Sequence, residues 1–589
     1  MKKISEIIKE QLEESFEMCG YDAAYARVSL SNRPDLCEYQ CNGAMAAAKF
    51  YKKAPIVIAN EIIETLKNCE LFEDIQAVMP GFINIKLNIN FISDYLSNMA
   101  DDENLGFEKT ADKETIIIDY GGPNVAKPLH VGHLRSAVIG ESIKRIGRFV
   151  GHEVIGDIHL GDWGLQMGLI IVELKERQPN LVYFDNMYEG EYPSEPPFNI
   201  LELEEIYPAA NAKSKEDESF KEAAKQATFM LQNGNKGYIA LWNHIMTVSV
   251  NDLKKNYEKL DISFDLWKKE SDAQPYIPDM VKYMKENDYA YISEGALVVD
   301  VKEESDTKEI PPCMILKSDG ATLYNTTDLA TIVERMKLFK PDHIIYVVDK
   351  RQELYFDQVF RCAKKTKLVE ENTKLSFLGF GTMNGKDGKP FKTRDGGVMR
   401  LESLVKGINE VAFNKMQENR QDAELNAEEI ASKVGLSALK YGDLSNQASK
   451  DYIFDIERFT EFSGNTGPYI LYTIVRIKSI LEKYKNLKGI LNINNTILPA
   501  EDNVQKALML KVIQFNEVID NAFNELAPHK ICQYIYELSD AFNSFYHEHN
   551  IMKEDNVTRQ ASWIALILLV KSILNTCINL LGFEAPDRM

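Results

Sequence analysis

The sequence is poor in patterns that bind metal ions. Its eight cysteines lie at positions 19, 37, 41, 69, 313, 362, 532 and 577, and they form no repeating pair. Cys37 and Cys41 are close in sequence, but no second pair of Cys or His residues completes a zinc site. We therefore expect free thiols in a reducing compartment and no structural metal.

Long apolar segments are also missing. The N-terminal residues MKKISEIIKEQLEES contain two lysines but no apolar run behind them, so a secretory signal is not predicted. The longest apolar stretch, Trp563 to Val570, is broken by Lys571 and is too short to span a bilayer. The sequence thus predicts a soluble, cytoplasmic protein that does not bind membranes.

Acidic residues outnumber basic ones, 89 to 68, which gives a formal net charge of −21. The charge of a whole chain determines solubility and diffuse repulsion rather than what a single face binds. A nucleic-acid-binding function would therefore require a local stripe of basic residues.

The length of 589 residues exceeds that of one compact domain. We predict a multidomain α/β plus α protein, without internal repeats. An N-terminal α+β domain is predicted over 1–105, a Rossmann-type nucleotide domain over 106–424 and a C-terminal helical bundle over 425–589. A charged helical segment at about 180–290 is interpreted as an insertion in the nucleotide domain.

The nucleotide domain is predicted from its first strand. Thr115 to Asp119 is a β-branched run, a glycine turn follows it, and Leu134 to Val150 has helical periodicity. A buried strand, a glycine turn and a helix are the opening of a βαβ nucleotide fold. Further predicted strands are Val154 to Ile158, Ala296 to Val301 and His343 to Val348.

The segment Asp119 to Arg135, DYGGPNVAKPLHVGHLR, contains residues suited to phosphate chemistry. His130 and His133 share one face at the start of a helix, and Gly132 lets a ligand approach the backbone. The helix N-terminus offers free amide donors and a partial positive charge to a phosphate. Imidazoles there can hydrogen-bond a triphosphate as pyrophosphate leaves. The alternative is two ordinary histidines on a helix.

This segment resembles the HIGH signature of class I aminoacyl-tRNA synthetases, and Pro123 to Leu129 resembles the arginine-specific branch. The resemblance implies activation of L-arginine with ATP to arginyl-adenylate, release of pyrophosphate, and transfer to the terminal adenosine of tRNA(Arg) in protein synthesis. Pro123, Gly132, His130 and His133 would contact ATP. Mg²⁺ would enter as the ATP complex, without a tightly bound cofactor, and we expect a monomer.

Three lysines are predicted to contact phosphate. Lys127 precedes His130 by one helical turn and could reach a phosphate oxygen. Class I enzymes usually supply such a lysine from a second signature, KMSKS, which is often degenerate in arginyl enzymes. Residues 385–394 retain Lys389 and Lys392 in this place, although a solvated basic turn is the alternative. Which lysine contacts the transferred phosphate stays open.

A site for arginine requires carboxylates, because the guanidinium group presents five donors and pairs with a carboxylate in a bidentate manner. Tyr324 and Asp328 lie four residues apart on one helical face, and Asp119 adds a second acid at one or the other end of the substrate. By resemblance, Tyr324 and Asp328 contact the guanidinium, and Asn124 and Gln352 hold the backbone end. The alternative is a surface helix start capped by the aspartate.

The loop HLGDWGLQ, residues 159–166, follows a predicted strand. It resembles the family's next nucleotide-fold loop, and we predict that Gly161 and Asp162 help bind ATP. A purely structural turn is the alternative for either residue.

The basic stripe lies in residues 469–488, where five basic residues occur against one acid. Tyr469, Tyr472 and Arg476 recur at helical spacing and share one face. Aromatic rings that stack on bases, next to cations that bind phosphates, are typical of sites for single-stranded RNA loops. Taken alone, this pattern fits a charged, solvated face with buried tyrosines better.

The ends of the chain also resemble the family. Residues 464–469 resemble the entry to its anticodon-binding domain, and the C-terminus, ending at Met589, would pack near the anticodon. The first hundred residues resemble the added N-terminal domain that touches the tRNA elbow, with Phe82 and Asn84 as candidate contacts. Other possible functions are a different synthetase, a small-molecule adenylyltransferase, or an inactive RNA-binding paralogue.

Overall fold

The computed structural model describes residues 1–127, 129–389, 399–418, 426–488 and 495–589. The chain divides into two units. The first unit joins the two ends of the chain and comprises Met1–Thr110, Glu461–Leu580 and Glu584–Met589. The second unit comprises Ala111–Thr460 with Leu581–Phe583. Residues 426–460, predicted to belong to the C-terminal helical domain, therefore lie in the second unit.

The N-terminal part of the first unit has the predicted α+β architecture. Its elements are α1 (Ile4–Met18), β1 (Val28–Leu30), β2 (Tyr39–Cys41), α2 (Gly43–Tyr51), α3 (Pro55–Leu66), β3 (Phe72–Val78), β4 (Phe82–Leu87) and α4 (Ile89–Asp101). The strands form one antiparallel sheet in the order β1-β2-β4-β3. Burial alternates along β4: Ile83 and Ile85 are buried, whereas Phe82 and Asn84 are only partly covered.

The second unit contains a parallel sheet that carries the predicted nucleotide fold. The strands of the second unit, in chain order, are β5 (Thr115–Asp119), β6 (Glu153–Leu160), β7 (Leu266–Lys269), β8 (Tyr291–Ser293), β9 (Ala296–Val299), β10 (Cys313–Leu316), β11 (His343–Asp349), β12 (Lys374–Phe380), β13 (Met383–Asn384) and β14 (Tyr452–Ile453). Five of them form the sheet β12-β11-β5-β6-β7, and every neighbouring pair is parallel. The central strand β5 buries its three isoleucines, as expected where helices cover both faces.

One predicted strand belongs elsewhere. Residues 296–301 were expected in the nucleotide sheet, but β9 pairs antiparallel with β8 and β10 in a separate sheet. The cause is the two-residue turn at Glu294 and Gly295, where both φ angles are positive (49° and 84°). Such a turn folds β8 back on β9 as a hairpin. Strand β9 therefore pairs with its neighbour in the chain and not with the strands of the nucleotide sheet.

The helices of the second unit surround its sheets. They are α5 (Val131–Val150), α6 (Leu165–Arg177), α7 (Ile200–Glu216), α8 (Glu218–Gln232), α9 (Lys236–Lys259), α10 (Glu270–Ala273), α11 (Ile277–Glu286), α12 (Tyr324–Leu338), α13 (Glu353–Lys365), α14 (Leu401–Glu418), α15 (Ala427–Leu444) and α16 (Ile456–Phe459). Helices α6 to α9 lie between β6 and β7. The helical reading of residues 180–290 therefore missed β7, an edge strand of the sheet.

A lysine is fully buried in the second unit. The amine of Lys440, in α15, donates hydrogen bonds to the backbone carbonyl oxygens of Asp261 (3.1 Å) and Gly582 (2.6 Å). Burial lowers the pKa of Lys440 to about 7, with the positive charge of Arg145 acting in the same direction.

The C-terminal part of the first unit is helical, as predicted. It contains α17 (Gly467–Lys488), α18 (Asn503–Val512), α19 (Phe515–Asn524), α20 (His529–Glu548) and α21 (Val557–Leu580). By length and composition, α21 could cross a membrane, so the apolar segment is longer than predicted. Most of its apolar side chains are buried in the unit, as in the core helix of a globular protein.

Contacts join the N-terminal and C-terminal parts of the first unit. The amine of Lys506, in α18, pairs with Glu38 (2.9 Å) and Glu73 (2.8 Å). The side-chain amide of Asn516 donates to the carbonyl oxygen of Gly106 at 3.0 Å. The two ends of the chain thus form one folded unit.

Candidate active site

The site lies at the carboxyl ends of the central parallel strands. Asp119 at the end of β5 is in register with Asp157 on β6 and with Tyr346 on β11. The loops that follow β5 and β6 are joined, because Asn124 and Gly161 form a parallel bridge. Ligands of open α/β sheets bind outside this edge.

Two glycines permit the close approach of these loops. A Cβ atom on Gly161 would lie 2.0 Å from Oδ1 of Asn124, and one on Gly122 would lie 2.1 Å from the carbonyl oxygen of His159. The N–H of Gly161 also donates to the carbonyl oxygen of Pro123 at 3.2 Å. The structure therefore brings together three residues predicted for substrate binding: Pro123, Asn124 and Gly161.

The two histidines face each other at the start of α5. His130 is the N-cap, and its Nδ1 accepts a hydrogen bond from the N–H of Gly132 at 3.0 Å. Nδ1 of His133 accepts from the N–H of His130 at 3.2 Å, and the ring centroids are 3.8 Å apart. Because each Nδ1 is an acceptor, a neutral ring carries its proton on Nε2.

Both imidazoles are held in the neutral form. Burial lowers the pKa of His133 to about 3, and the neighbouring His130 and Lys127 act in the same direction. Burial and Lys127 also lower the pKa of His130. These rings can therefore serve a triphosphate as hydrogen-bond donors through Nε2, rather than as cations.

The expectation of free amides at the N-terminus of α5 is not met. The N–H of Val131 donates to the carbonyl oxygen of Met399 (3.1 Å), that of Gly132 to His130, and that of His133 to the carbonyl oxygen of His130 (2.9 Å). The reason is that His130, as the N-cap, and the backbone carbonyl group of Met399 already accept hydrogen bonds from these donors. The helix dipole remains directed at the site.

The predicted lysines differ in their surroundings. Lys127 is half-buried, and its amine lies 4.6 Å from the ring centroid of Tyr207. Lys389 is exposed in a turn that the N–H of Gly385 closes by donating to its carbonyl oxygen at 2.8 Å. Lys392 lies outside the described residues.

The predicted arginine pocket contains a partly buried aspartate. Asp328 accepts a short hydrogen bond from the hydroxyl group of Tyr355. Burial raises the pKa of Asp328 to about 6, and the nearby carboxylate of Asp119 acts in the same direction. Tyr324 begins α12 one turn earlier on the same face, and 74% of its surface is exposed. Its ring is thus open to a ligand that reaches Asp328.

Glu270 is a charged neighbour of Asp328 that the sequence did not reveal. It is the first residue of α10, and burial raises its pKa to about 7, with the carboxylates of Asp162 and Asp328 contributing. Its charge also acts on Tyr324. The surrounding sequence, KKESD, resembles an ordinary charged surface segment, so no local signal marks this residue.

An arginine side chain of the protein binds two aspartates, one on β5 and one on β6. Arg335, only 2% exposed, donates from Nη2 to Asp119 (2.5 Å) and to Asp157 (2.6 Å). Within the described residues, ligand-type atoms of Asp119, Asp157 and His159 lie within 4.8 Å of one another. Because the guanidinium group binds both carboxylates, this cluster already contains a cation.

Two other predicted residues have different environments. Asp162 is fully buried and accepts hydrogen bonds from the N–H (3.0 Å) and hydroxyl group (2.6 Å) of Ser271. Its carboxylate is therefore engaged with the start of α10. Gln352 is exposed in the turn after β11, at the same edge of the sheet as Asp119.

In the first unit, the residues predicted to bind the anticodon form one surface. The guanidinium group of Arg476 lies 4.8 Å from the ring centroid of Tyr472, and its Nη1 donates to Oδ1 of Asn543 at 2.5 Å. Asn543 also donates to the hydroxyl group of Tyr469 at 2.9 Å. By contrast, Lys478 pairs with Asp587 (3.0 Å) and so holds the C-terminal segment.

The C-terminal residue and the elbow candidates are also accessible. Met589 is half-buried. Phe82 and Asn84 lie on the outer face of β4, and Oδ1 of Asn84 accepts from the side-chain amide of Gln40 at 2.8 Å. Gln76, on the neighbouring strand, is in register with Asn84 and extends this polar face.

Three family models match successive parts of the chain. The arginyl tRNA synthetase N terminal domain matches residues 2–87, and the catalytic domain of class I (R) tRNA synthetases matches residues 95–456. The DALR anticodon binding domain matches residues 470–589.

Full-length relatives and solved structures are similar to the whole chain. The arginine–tRNA ligase of Agathobacter rectalis is 62% identical over 100% of both chains. That of Alkaliphilus oremlandii is 57% identical over 100% of this chain and 99% of its own. The crystal structure of arginyl-tRNA synthetase from Plasmodium falciparum superimposes with a TM-score of 0.83 at 26% identity, covering both chains completely. The Thermus thermophilus enzyme shares the fold, with a TM-score of 0.80 at 20% identity over both full lengths.

Proposed function

The chain belongs to the arginyl-tRNA synthetase family and charges tRNA(Arg) with arginine in translation, and we propose which of its residues perform the two steps. Its substrates are ATP, arginine and tRNA(Arg). We further propose that Mg²⁺ arrives as part of the ATP substrate complex, and that the enzyme acts as a monomer in the cytoplasm.

The guanidinium group of the substrate binds between Asp328 and Glu270, with the ring of Tyr324 beside it. The observation that supports this assignment is the pair of partly buried carboxyl groups, in which the charge of Asp328 helps to raise the pKa of Glu270. A guanidinium group placed there would relieve that repulsion and fill both acceptors with its planar donors. Lysine, with one compact ammonium group, cannot bridge two carboxylates in the same way.

The backbone end of the substrate lies towards the centre of the sheet. Arg335 occupies Oδ2 of Asp119, so Oδ1 is the oxygen that can accept from the substrate's ammonium group. Asn124 and Gln352 complete this end, because both lie in loops at the carboxyl edge of the sheet. The substrate carboxylate is thereby directed towards the ATP site.

ATP binds over the start of α5, lined by Pro123, Gly132 and Gly161. In the first step, a carboxylate oxygen of arginine attacks the α-phosphorus, and pyrophosphate leaves to give arginyl-adenylate. The Nε2–H groups of His130 and His133 donate to phosphate oxygens as negative charge moves onto the leaving group.

Three lysines supply positive charge to the phosphates in this step. Lys127 stands beside the two histidines, whereas Lys389 and Lys392 belong to the second signature. In the next step, a ribose hydroxyl group of the terminal adenosine attacks the arginyl carbonyl carbon, and AMP leaves.

The tRNA contacts follow from the surfaces of the first unit. Tyr469, Tyr472 and Arg476 combine stacking rings with a cation, which suits an anticodon loop. Met589 lies at the end of the segment that Lys478 holds, and we assign it to the same region. The outer face of β4, with Phe82 and Asn84, is assigned to the tRNA elbow.

A calorimetric experiment tests the assignment of the guanidinium site. Because Glu270 and Asp328 are partly protonated at pH 6, arginine binding should release protons, measured as a dependence of the binding enthalpy on the buffer. Glu270→Gln should reduce this release, whereas Glu286→Gln, at the exposed end of α11, should not. Arginine binding without proton release in the unmodified enzyme would contradict the two-carboxylate site.

A further inference from the structure

Helix α7 of the insertion extends two side chains to the segments on either side of His130. The ring of Tyr207 lies against the amine of Lys127, at 4.6 Å from centroid to nitrogen. One turn earlier, Glu204 pairs with Arg400 at 2.7 Å. Arg400 in turn forms an antiparallel bridge with His130. One face of α7 therefore contacts both neighbours of the catalytic histidine.

The aromatic character of this partner suits a lysine that must bind phosphate. A carboxylate would localise the amine but would also neutralise its charge and compete with phosphate for its donors. A ring attracts the ammonium group through its quadrupole and leaves the formal charge intact. None of the described residues forms an ion pair with Lys127. Its amine instead makes a cation–π contact with the ring of Tyr207.

The structure fixes both members of the pair. Tyr207 packs against a buried apolar cluster that includes Leu169, Ala210 and Phe220. On the other side, Ala126 adopts a positive φ of 58°, and its N–H donates to the hydroxyl group of Ser249 at 3.0 Å. The backbone that leads into Lys127 is thus held in a conformation that a non-glycine residue rarely adopts.

We propose that Tyr207 is a positioning residue of the ATP site, which holds the charged Lys127 amine where it meets a phosphate group of ATP. Glu204, on the same face, fixes the chain at Arg400 beside His130. This inference rests on the proposed phosphate contact of Lys127. It assigns the insertion a part in amino-acid activation.

The test uses the full-length enzyme with tRNA(Arg) and saturating arginine, and measures exchange of labelled pyrophosphate into ATP. Tyr207→Leu removes the ring but keeps apolar bulk, and it should lower kcat/KM for ATP about 3- to 10-fold while the KM for arginine stays unchanged. Tyr207→Phe keeps the ring and should restore most of this loss. The matched control is Phe229→Leu in α8, an aromatic residue of the insertion that is 60% exposed, which should behave like the unmodified enzyme.

A double-mutant cycle with Lys127→Ala separates positioning from general loosening of the insertion. In the Lys127→Ala background, Tyr207→Leu should have no further effect. Additive losses, or an equal rise of the KM values for ATP and arginine, would overturn the positioning role. An impaired Lys127→Ala enzyme with an unaffected Tyr207→Leu enzyme would overturn this inference alone. An unimpaired Lys127→Ala enzyme would overturn the phosphate role of Lys127 and this inference with it.

Discussion

Replacing Asp328 with asparagine tests the arginine pocket most directly. The substitution preserves the size of the side chain and an acceptor for the hydroxyl group of Tyr355, but removes the charge that faces the guanidinium group. Removing one partner of a buried ion pair costs about 3–5 kcal/mol, because the other charge is left without compensation. The kcat/KM for arginine should therefore fall about 150- to 5,000-fold.

Aminoacylation of tRNA(Arg), measured with arginine and ATP varied in turn, checks this prediction. The KM for ATP should change little, because Asp328 lies at the guanidinium end of the substrate. Asp279→Asn, an exposed position in α11, serves as the control and should leave both constants unchanged. Equal losses for ATP and arginine would remove Asp328 from the amino-acid pocket.

The pH dependence of the KM for arginine is a second test of the same pocket. Because the pKa of Asp328 is raised to about 6, the carboxylate that binds arginine is lost as the pH falls below that value. The KM for arginine should then rise by up to about tenfold per pH unit. Glu270, with its pKa raised to about 7, should extend this rise of the KM for arginine to pH values between about 6 and 7. Glu270→Gln should abolish that part of the pH profile. A KM for arginine that stays constant from pH 5 to 8 would refute this reasoning.

The remaining predictions concern the chemical step and stability. His130→Ala and His133→Ala should each lower the turnover of pyrophosphate exchange about 100-fold with a smaller effect on the KM for ATP, since their donors act on developing charge; near-normal turnover would contradict this. Lys127→Ala should cost more turnover than Lys389→Ala, because a fixed cation acts without loop closure; the reverse order would assign the main role to the loop. Since the folded state lowers the pKa of Lys440 to about 7 from 10.5, the unfolded chain binds more protons between these values and stability should rise with pH there. Lys440→Met should flatten that rise in Tm, and an unchanged slope would show that this amine does not titrate as inferred.

The parts of the site that sequence could predict are contiguous in the chain. The strand, glycine turn and helix from Thr115 to Val150 follow from local periodicity, and the two histidines come with them. The common helix of Tyr324 and Asp328 was predicted for the same reason, since helical spacing brings them to one face of α12. Local patterns are sufficient where the chemistry lies within a few turns of one element.

Residues supplied by distant elements could not be predicted in this way. Glu270, proposed for the arginine pocket, and Tyr207, proposed for the ATP site, lie in a charged helical segment, and nothing in their neighbours distinguishes them from surface residues. The hydrogen bonds of Asp162 were not predicted, because its partner, Ser271, lies more than a hundred positions away in the chain. Strand β9 was misplaced because pairing with the adjacent β8, through a tight turn, is not visible in hydrophobicity alone.

The first unit has a consequence for synthesis on the ribosome. Its N-terminal part contacts α18 and α19, yet the 350 residues from Ala111 to Thr460 are translated in between. Helix α18 begins at Asn503 and α19 ends at Asn524, so at about 5–20 residues per second the N-terminal part must wait about 20 to 80 s for these partners. Throughout that interval Glu38 and Glu73 lack the amine of Lys506, and the nascent chain presents an incomplete unit to chaperones and proteases. The nucleotide sheet, by contrast, is encoded without interruption by either terminal part and can form before translation ends.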